Sequence, residues 1–231
     1  MTLLSNFLVD SKKAKFLVID AQNDVCDGNS AYANSMYSPG KKRDIKPIQE
    51  TIENGVIPFL EKARKHKLQI GFVQSIYQPG QYSYSGISDK WLTIDSELQN
   101  SEWRIRIYRD MPIEREPIFK KDTQETFTFK GEENGLASWL LETENVLVAG
   151  FTTDGCVKKA VYALLERGYK PIVLEDCIAT SRHKIKTSHK ETLNEFMANV
   201  LIKVINSKKI HFLDTKYDFL NDPDLDYGFR H

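Results

Sequence analysis

The chain has 231 residues, with 32 Lys or Arg against 32 Asp or Glu, so its formal net charge at pH 7 is zero. That balance gives no overall field to recruit nucleic acid or an anionic membrane, and we expect neither as a partner. No apolar run approaches the roughly 18 residues that span a bilayer, and the start does not resemble a secretory signal, so we expect a cytosolic protein.

Apolar runs alternate with polar helical segments along the whole chain, which favours a single domain over residues 1–231. In the first half the pattern predicts a strand at Lys15–Asp20, a helix at Pro47–His66 and a second strand at Leu68–Gln74. Residues 75–110 are rich in Tyr, Gly, Ser and Trp with weak periodicity. We interpret this stretch, called the excursion below, as loops and short helices that cover one end of the sheet.

The second half continues the alternation more sharply. The predicted strands and helices are Pro117–Lys121 (strand), Gly135–Glu142 (helix), Asn145–Ala149 (strand), Cys156–Arg167 (helix), Lys170–Glu175 (strand), His189–Val200 (helix) and Leu201–Ile205 (strand). Strands separated by helices imply right-handed crossovers and a mostly parallel sheet. We therefore predict an α/β fold, a doubly wound sheet with helices on both faces.

In such a fold ligands bind beyond the carboxyl ends of the strands. Asp20, Lys121 and the turn from Gly150 to Cys156 all lie at such ends. Cys156 falls in the first turn of a predicted helix, where the N–H groups and the dipole favour a thiolate and can bind an oxyanion. The sequence therefore predicts a lowered pKa for Cys156, although a lone cysteine is often only a small buried residue.

Each of the other two groups has an ordinary alternative. Asp20 could cap a helix or order a loop instead of acting as a base, and a lysine that ends a strand is usually solvated. Because side chains alternate along a strand, only one of Lys120 and Lys121 can face a pocket shared with Asp20. A nucleophile, a base and a cation nevertheless converge on one sheet edge.

Three segments carry a resemblance to a known family. They are FLVIDAQND (16–24), FKKDTQETF (119–127) and VAGFTTDGCVKKAVYALLERGYKPIVLEDCIAT (148–180). These segments resemble the isochorismatase-like cysteine hydrolases, which include nicotinamidases and N-carbamoylsarcosine amidohydrolases. The resemblance implies a catalytic triad of Asp20, Lys121 and Cys156, with Lys121 preferred to Lys120 because it precedes Phe127 by six residues. The family's Ser-Ala in that motif is Glu125-Thr126 here, a departure from the pattern.

The resemblance also implies a cis peptide at Phe151–Thr152 and an oxyanion hole built from the Thr152 and Cys156 amides. Nicotinamidases of this family bind a metal through an Asp-x-His motif, whose positions hold Ile76, Tyr77 and Gln78 here. No histidine occurs between residues 67 and 182. We therefore expect no metal and no other cofactor.

The excursion supplies the candidate substrate contacts, although loop aromatics are more often packing residues. The candidates are Tyr77, Gln81, Tyr84 and Trp91. Family resemblance and the aromatic content of the excursion also lead us to expect a homo-oligomer.

The expected activity is hydrolysis of a small amide, imide or ureido compound through a thioester. Two alternatives remain: a catalytically idle binding or assembly protein on the same fold, and a thiol redox protein that pairs Cys156 with Cys26 or Cys177. For the hydrolase, loss of Asp20 as a base is expected to slow alkylation of Cys156.

Overall fold

The computed structural model describes residues 7–30, 33–34, 43–76 and 101–213. Its strands are β1 (Phe7–Asp10), β2 (Ala14–Ile19), β3 (Gln69–Ser75), β4 (Ile118–Lys121), β5 (Thr128–Phe129), β6 (Glu132–Glu133), β7 (Asn145–Phe151), β8 (Lys170–Ala179), β9 (Lys203–Ile205) and β10 (Ile210–Leu213). Every predicted strand is present, with ends that differ by a few residues. One such difference places Ser75 in β3, although the sequence had assigned it to the excursion.

The central sheet has six strands in the order β4-β3-β2-β7-β8-β9, and every neighbouring pair is parallel. The chain adds β3 and β4 on one side of β2 and then returns to add β7, β8 and β9 on the other. The strand order therefore reverses between β2 and β7, and a crevice for ligands opens at such a reversal. The predicted doubly wound α/β architecture is confirmed.

The helices are α1 (Asn23–Cys26), α2 (Lys46–Thr51), α3 (Ile57–Lys65), α4 (Ser101–Ile105), α5 (Leu136–Trp139), α6 (Lys158–Glu166), α7 (Arg182–Lys184) and α8 (Lys190–Ala198). Three π-helical turns precede α3, α6 and α8, at Ile52–Val56, Thr153–Val157 and Ile185–His189. The predicted helix at 47–66 is thus one segment with a π turn in its middle. No helix among the described residues is both long and apolar enough to cross a membrane.

The two faces of the sheet carry two hydrophobic cores, as expected for a parallel sheet covered on both sides. Along β2, Phe16 and Val18 belong to the core that includes the α2 and α3 side chains. Leu17 and Ile19 point the other way, into the core with α5, α6 and α8. All four side chains are fully buried, so the residue that follows β2 is attached to a strand that is packed on both faces.

Two small sheets lie outside the central one and were not predicted. β5 and β6 form an antiparallel hairpin of two residues each. β1 pairs in parallel with β10, with Phe7 opposite Ile210 and Asp10 opposite Leu213. The β1–β10 pair is held to the main body by Lys62, whose ammonium donates a hydrogen bond to the Ile210 carbonyl at 2.6 Å.

Candidate active site

Asp20 is the first residue after β2 and turns the chain away from the strand. Its φ is +47°, in the left-handed region where Asp is among the better tolerated residues. Its N–H still donates to the Val73 carbonyl at 3.0 Å, so the backbone stays attached to β3. The carboxylate is 1% exposed. A buried carboxylate at this position needs compensating partners.

Lys121 supplies the positive partner. Exposure alternates along β4, so that Lys120 is exposed and Lys121 is fully buried. The Lys121 Nζ lies 2.9 Å from the Asp20 Oδ2. Of the two lysines that the sequence offered, Lys121 is thus the one beside Asp20.

Ser75 reaches the same carboxylate oxygen, and the sequence had not identified it. Its hydroxyl donates to the Asp20 Oδ2 at 2.9 Å. Ser75 closes β3 and lies opposite Lys121 in the β3–β4 register. The signal was available in principle, since Ser75 ends a strand at the same edge as Asp20 and Lys121, but the predicted strand stopped one residue short.

The second oxygen of Asp20 has different surroundings. Oδ1 is buried and accepts no hydrogen bond of ordinary geometry from the described residues. The Cys156 thiol nevertheless lies close enough to the Asp20 carboxylate for a hydrogen bond between them to help raise the pKa of the thiol. Oδ2 carries the contacts with both Lys121 and Ser75. The carboxylate therefore keeps one oxygen available for a further proton.

The turn that carries Cys156 begins at the end of β7. The Phe151–Thr152 peptide is cis, at the position that the family resemblance implied. The Thr152 carbonyl then accepts hydrogen bonds from the N–H groups of Gly155 and Val157, at 3.0 and 3.2 Å. Cys156 lies in the π turn before α6, not in the first turn of a regular helix as predicted. The two amides predicted for the oxyanion hole thus belong to one compact turn.

The Cys156 residue is partly exposed. Both members of the buried Asp20–Lys121 pair influence the pKa of its thiol. Burial and then the Asp20 charge raise the pKa of Cys156 to about 12, and Lys121 acts in the opposite direction. The prediction of a lowered pKa is wrong, because loss of hydration and a nearby carboxylate outweigh the cation. At neutral pH the resting site holds a protonated thiol.

The residues before Cys156 are fixed to the segment that follows β8. The Asp154 Oδ2 accepts hydrogen bonds from the Lys184 ammonium and the Ser188 hydroxyl, both at 2.9 Å. The Thr153 hydroxyl lies 2.8 Å from His189 Nδ1. Burial raises the pKa of Asp154, but Lys184 and Ser188 more than offset it, so the net shift is downward. The turn is therefore held from outside as well as by its own backbone.

The other two cysteines are fully buried. Burial, followed by the charges of Asp20 and Asp27, raises the pKa of Cys26 well above its usual range. Burial and the Asp176 charge raise the pKa of Cys177. Neither thiol has the partial exposure of Cys156.

The remaining predicted site residues are not among those found beside Asp20, Lys121 and Cys156. Tyr77, Gln81, Tyr84 and Trp91 lie outside the described residues. Ile76, at the position of a metal ligand in nicotinamidases, is a buried apolar side chain with no atom that could bind a metal. Within the described ranges, no group of three or more His, Cys, Asp or Glu side chains is arranged to hold a metal ion.

Comparison with solved structures identifies the same fold in several proteins. An isochorismatase-like hydrolase from Alkaliphilus metalliredigens is 20% identical with a TM-score of 0.63, over 85% of this chain and 95% of that one. N-carbamoylsarcosine amidase from Thermoplasma acidophilum is 18% identical with a TM-score of 0.57, over 84% and 96%. The pyrazinamidase/nicotinamidase from Streptococcus mutans UA159 is 17% identical with a TM-score of 0.63, over 83% and 99%.

No curated protein sequence matches the chain. Residues 14–207, however, match the family model of the Isochorismatase domain. This range includes Asp20, Lys121 and Cys156 and runs from the start of β2 to just beyond β9. The chain belongs to the isochorismatase family.

Proposed function

We propose that the chain hydrolyses a small amide, imide or ureido compound through a thioester on Cys156. The observation that carries this proposal is the buried ion pair of Asp20 and Lys121, 2.9 Å apart, whose two charges both influence the pKa of the Cys156 thiol. Burying two charges is costly, and a hydrophobic pair would often serve stability equally well. A chemical role explains why this costly pair of buried charges lies beside a cysteine.

The raised pKa of the thiol makes a base necessary. With a pKa of about 12, Cys156 is almost entirely protonated at neutral pH and is a poor nucleophile. Asp20 takes this proton as the sulfur attacks the substrate carbonyl. Lys121 then offsets the negative charge that moves from the carboxylate to the sulfur.

The reaction proceeds in two balanced steps. The Cys156 sulfur forms a bond to the carbonyl carbon, and the resulting oxyanion accepts hydrogen bonds from the Thr152 and Cys156 amides. The C–N bond breaks, and Asp20 returns the proton to the departing nitrogen, which leaves as ammonia or an amine or, from a cyclic imide, becomes the amide of the opened ring. Water then adds to the thioester with Asp20 as base, which releases a carboxylic or carbamic acid and restores the thiol.

Two comparisons support an amide over other substrates. N-carbamoylsarcosine amidase and pyrazinamidase/nicotinamidase, which share this fold, are both amidases by name. Cleavage of a vinyl ether, as in true isochorismatases, does not require a cysteine nucleophile. The cysteine and its base therefore favour C–N hydrolysis.

The direct test is release of ammonia or amine from formamide, acetamide, urea and biuret, and ring opening of succinimide to succinamic acid. Cys156→Ala is the blank, because it removes the nucleophile and leaves the Asp20–Lys121 pair. Ammonia release that persists in Cys156→Ala would refute the proposal. Activity that consumes a reductant would indicate the thiol redox alternative, and inactivity in both assays would favour the binding role.

A further inference from the structure

Asp20 is held by donors from two neighbouring strands. Lys121 at the end of β4 and Ser75 at the end of β3 are register partners, and both approach the Oδ2 at 2.9 Å. Ser75 is fully buried, and its hydroxyl donates to this carboxylate oxygen. The hydroxyl is therefore suited to orienting the base.

Ser75 is itself held on both sides of its backbone by one side chain. The Gln22 Oε1 accepts from the Ser75 N–H at 2.8 Å, and the Gln22 Nε2 donates to the Ser75 carbonyl at 3.0 Å. The same Nε2 donates to the Ile105 carbonyl at 2.8 Å. Gln22 thus connects Ser75 to α4, the described end of the excursion.

We infer that Ser75 is a positioning residue for Asp20: its hydroxyl and Lys121 together fix Oδ2, so that Oδ1 is the oxygen that receives the Cys156 proton. This inference rests on the proposed function. Its basis is the pair of contacts on Oδ2, the buried Oδ1, to which the described part of the chain donates no hydrogen bond of ordinary geometry, and the two hydrogen bonds of Gln22 to the Ser75 backbone. Without the hydroxyl, the carboxylate can rotate away from the sulfur.

The test uses iodoacetamide labelling of Cys156 at mildly alkaline pH, read by peptide mass, because it requires no substrate. An Asp20 carboxylate that turns away from Cys156 raises the pKa of the thiol less. Cys156 should therefore be labelled faster in Ser75→Ala than in the unmodified protein. We expect about threefold or more, since one pKa unit corresponds to about tenfold in thiolate. Asp20→Asn should label faster still, and the double variant should match Asp20→Asn alone.

Ser207→Ala is the matched control. The Ser207 hydroxyl donates to the Asp176 Oδ2 at 2.7 Å, so this variant also removes a serine–carboxylate hydrogen bond, but one made to β8 and not to Asp20. It should label at the unmodified rate. If Ser75→Ala does not fold, Ser75→Thr and Ser75→Val are compared in its place. Their side chains have nearly the same shape, but only threonine keeps the hydroxyl. Threonine should then label like the unmodified protein and valine faster.

A second measurement separates this inference from the proposed function. On whichever of the five compounds is hydrolysed, Ser75→Ala should lower kcat about tenfold or more, part of the roughly 10²–10⁴ that a positioned base supplies, with KM unchanged. If none of the five compounds is hydrolysed, that result contradicts the proposed function. The labelling test does not depend on it, because labelling requires no substrate. Equal labelling of Ser75→Ala and the unmodified protein, or effects of Ser75→Ala and Asp20→Asn that add, would refute the role of Ser75.

Discussion

Gly150 of β7 lies directly against Ile19 of β2, so closely that a Cβ on Gly150 would be 2.0 Å from the Ile19 carbonyl oxygen. The two residues are register partners, and Gly150 has a φ of +125°. Ile19 precedes Asp20, and Gly150 opens the turn that leads to Cys156. The close approach of these two strand ends brings Asp20 and the turn that carries Cys156 to the same edge of the sheet.

Gly150→Ala should therefore destabilise the protein by about 3 kcal/mol or more, since it combines an unfavourable φ with a clash against backbone atoms. Gly168→Ala is the control, because Gly168 also has a positive φ, +81°, but a Cβ there would meet no atom within 4 Å. That change should cost only about 1–2 kcal/mol. Denaturant unfolding measures both, and equal losses would show that the Ile19 contact is unimportant.

Lys121→Met should reduce kcat/KM by about two orders of magnitude or more, because the charge that stabilises the reacting groups is gone. It should also destabilise the fold by about 3–5 kcal/mol, since the buried Asp20 loses its partner. Lys120→Met is the neighbouring control and should be nearly silent, as Lys120 is exposed. Steady-state rates and thermal unfolding provide the two readouts. A reversed order of the two variants would contradict the assignment.

Iodoacetamide should modify Cys156 before Cys26 and Cys177, because Cys156 alone among the three is partly exposed. Its pKa is raised to about 12, so labelling at neutral pH should be slower than for an ordinary cysteine and should keep increasing through alkaline pH. Peptide mass at several pH values checks both statements. A plateau near neutral pH would show that the thiol pKa is lowered after all.

Asp20→Asn should separate reactivity from catalysis. The Asp20 charge raises the Cys156 pKa and Lys121 lowers it, so removal of the carboxylate charge should yield more thiolate and faster alkylation. This reverses the expectation from the sequence, which was that loss of Asp20 as a base slows alkylation of Cys156. Hydrolysis should nevertheless fall by about 10²–10⁴, because no group remains to move the proton to the amine. Slower labelling together with slower hydrolysis would argue against the electrostatic assignment.

Prolonged chelation should leave the hydrolytic rate unchanged. The position of one metal ligand in nicotinamidases is the buried Ile76, and no histidine lies between residues 67 and 182. Loss of activity that zinc, iron or manganese restores would mean that other ligands bind a metal.

The elements that the sequence predicted well are those with a strong periodic pattern. β2, β7, β8 and α6 consist of apolar runs or stripes whose burial follows from their period, and alternation along β4 leaves room for only one lysine in the site. The position of Ser75 at the strand end could have been predicted, but its contact with Asp20 could not, because that contact depends on register between strands far apart in sequence. The pKa of Cys156 likewise depends on burial and on the Asp20 charge, which no local pattern reports.

The pairing of β1 with β10 joins residues about two hundred positions apart in the sequence. During synthesis, Phe7–Asp10 emerges early and lacks its β10 partner until Ile210–Leu213 has left the ribosome. An unpaired strand edge is a site where another chain can add. Slow translation lengthens the time for which the edge of β1 is unpaired with β10. The β1–β10 pair therefore forms late, between residues far apart in the sequence. Removal of Ile210–Leu213 should leave the central sheet assembled but the shortened protein prone to association.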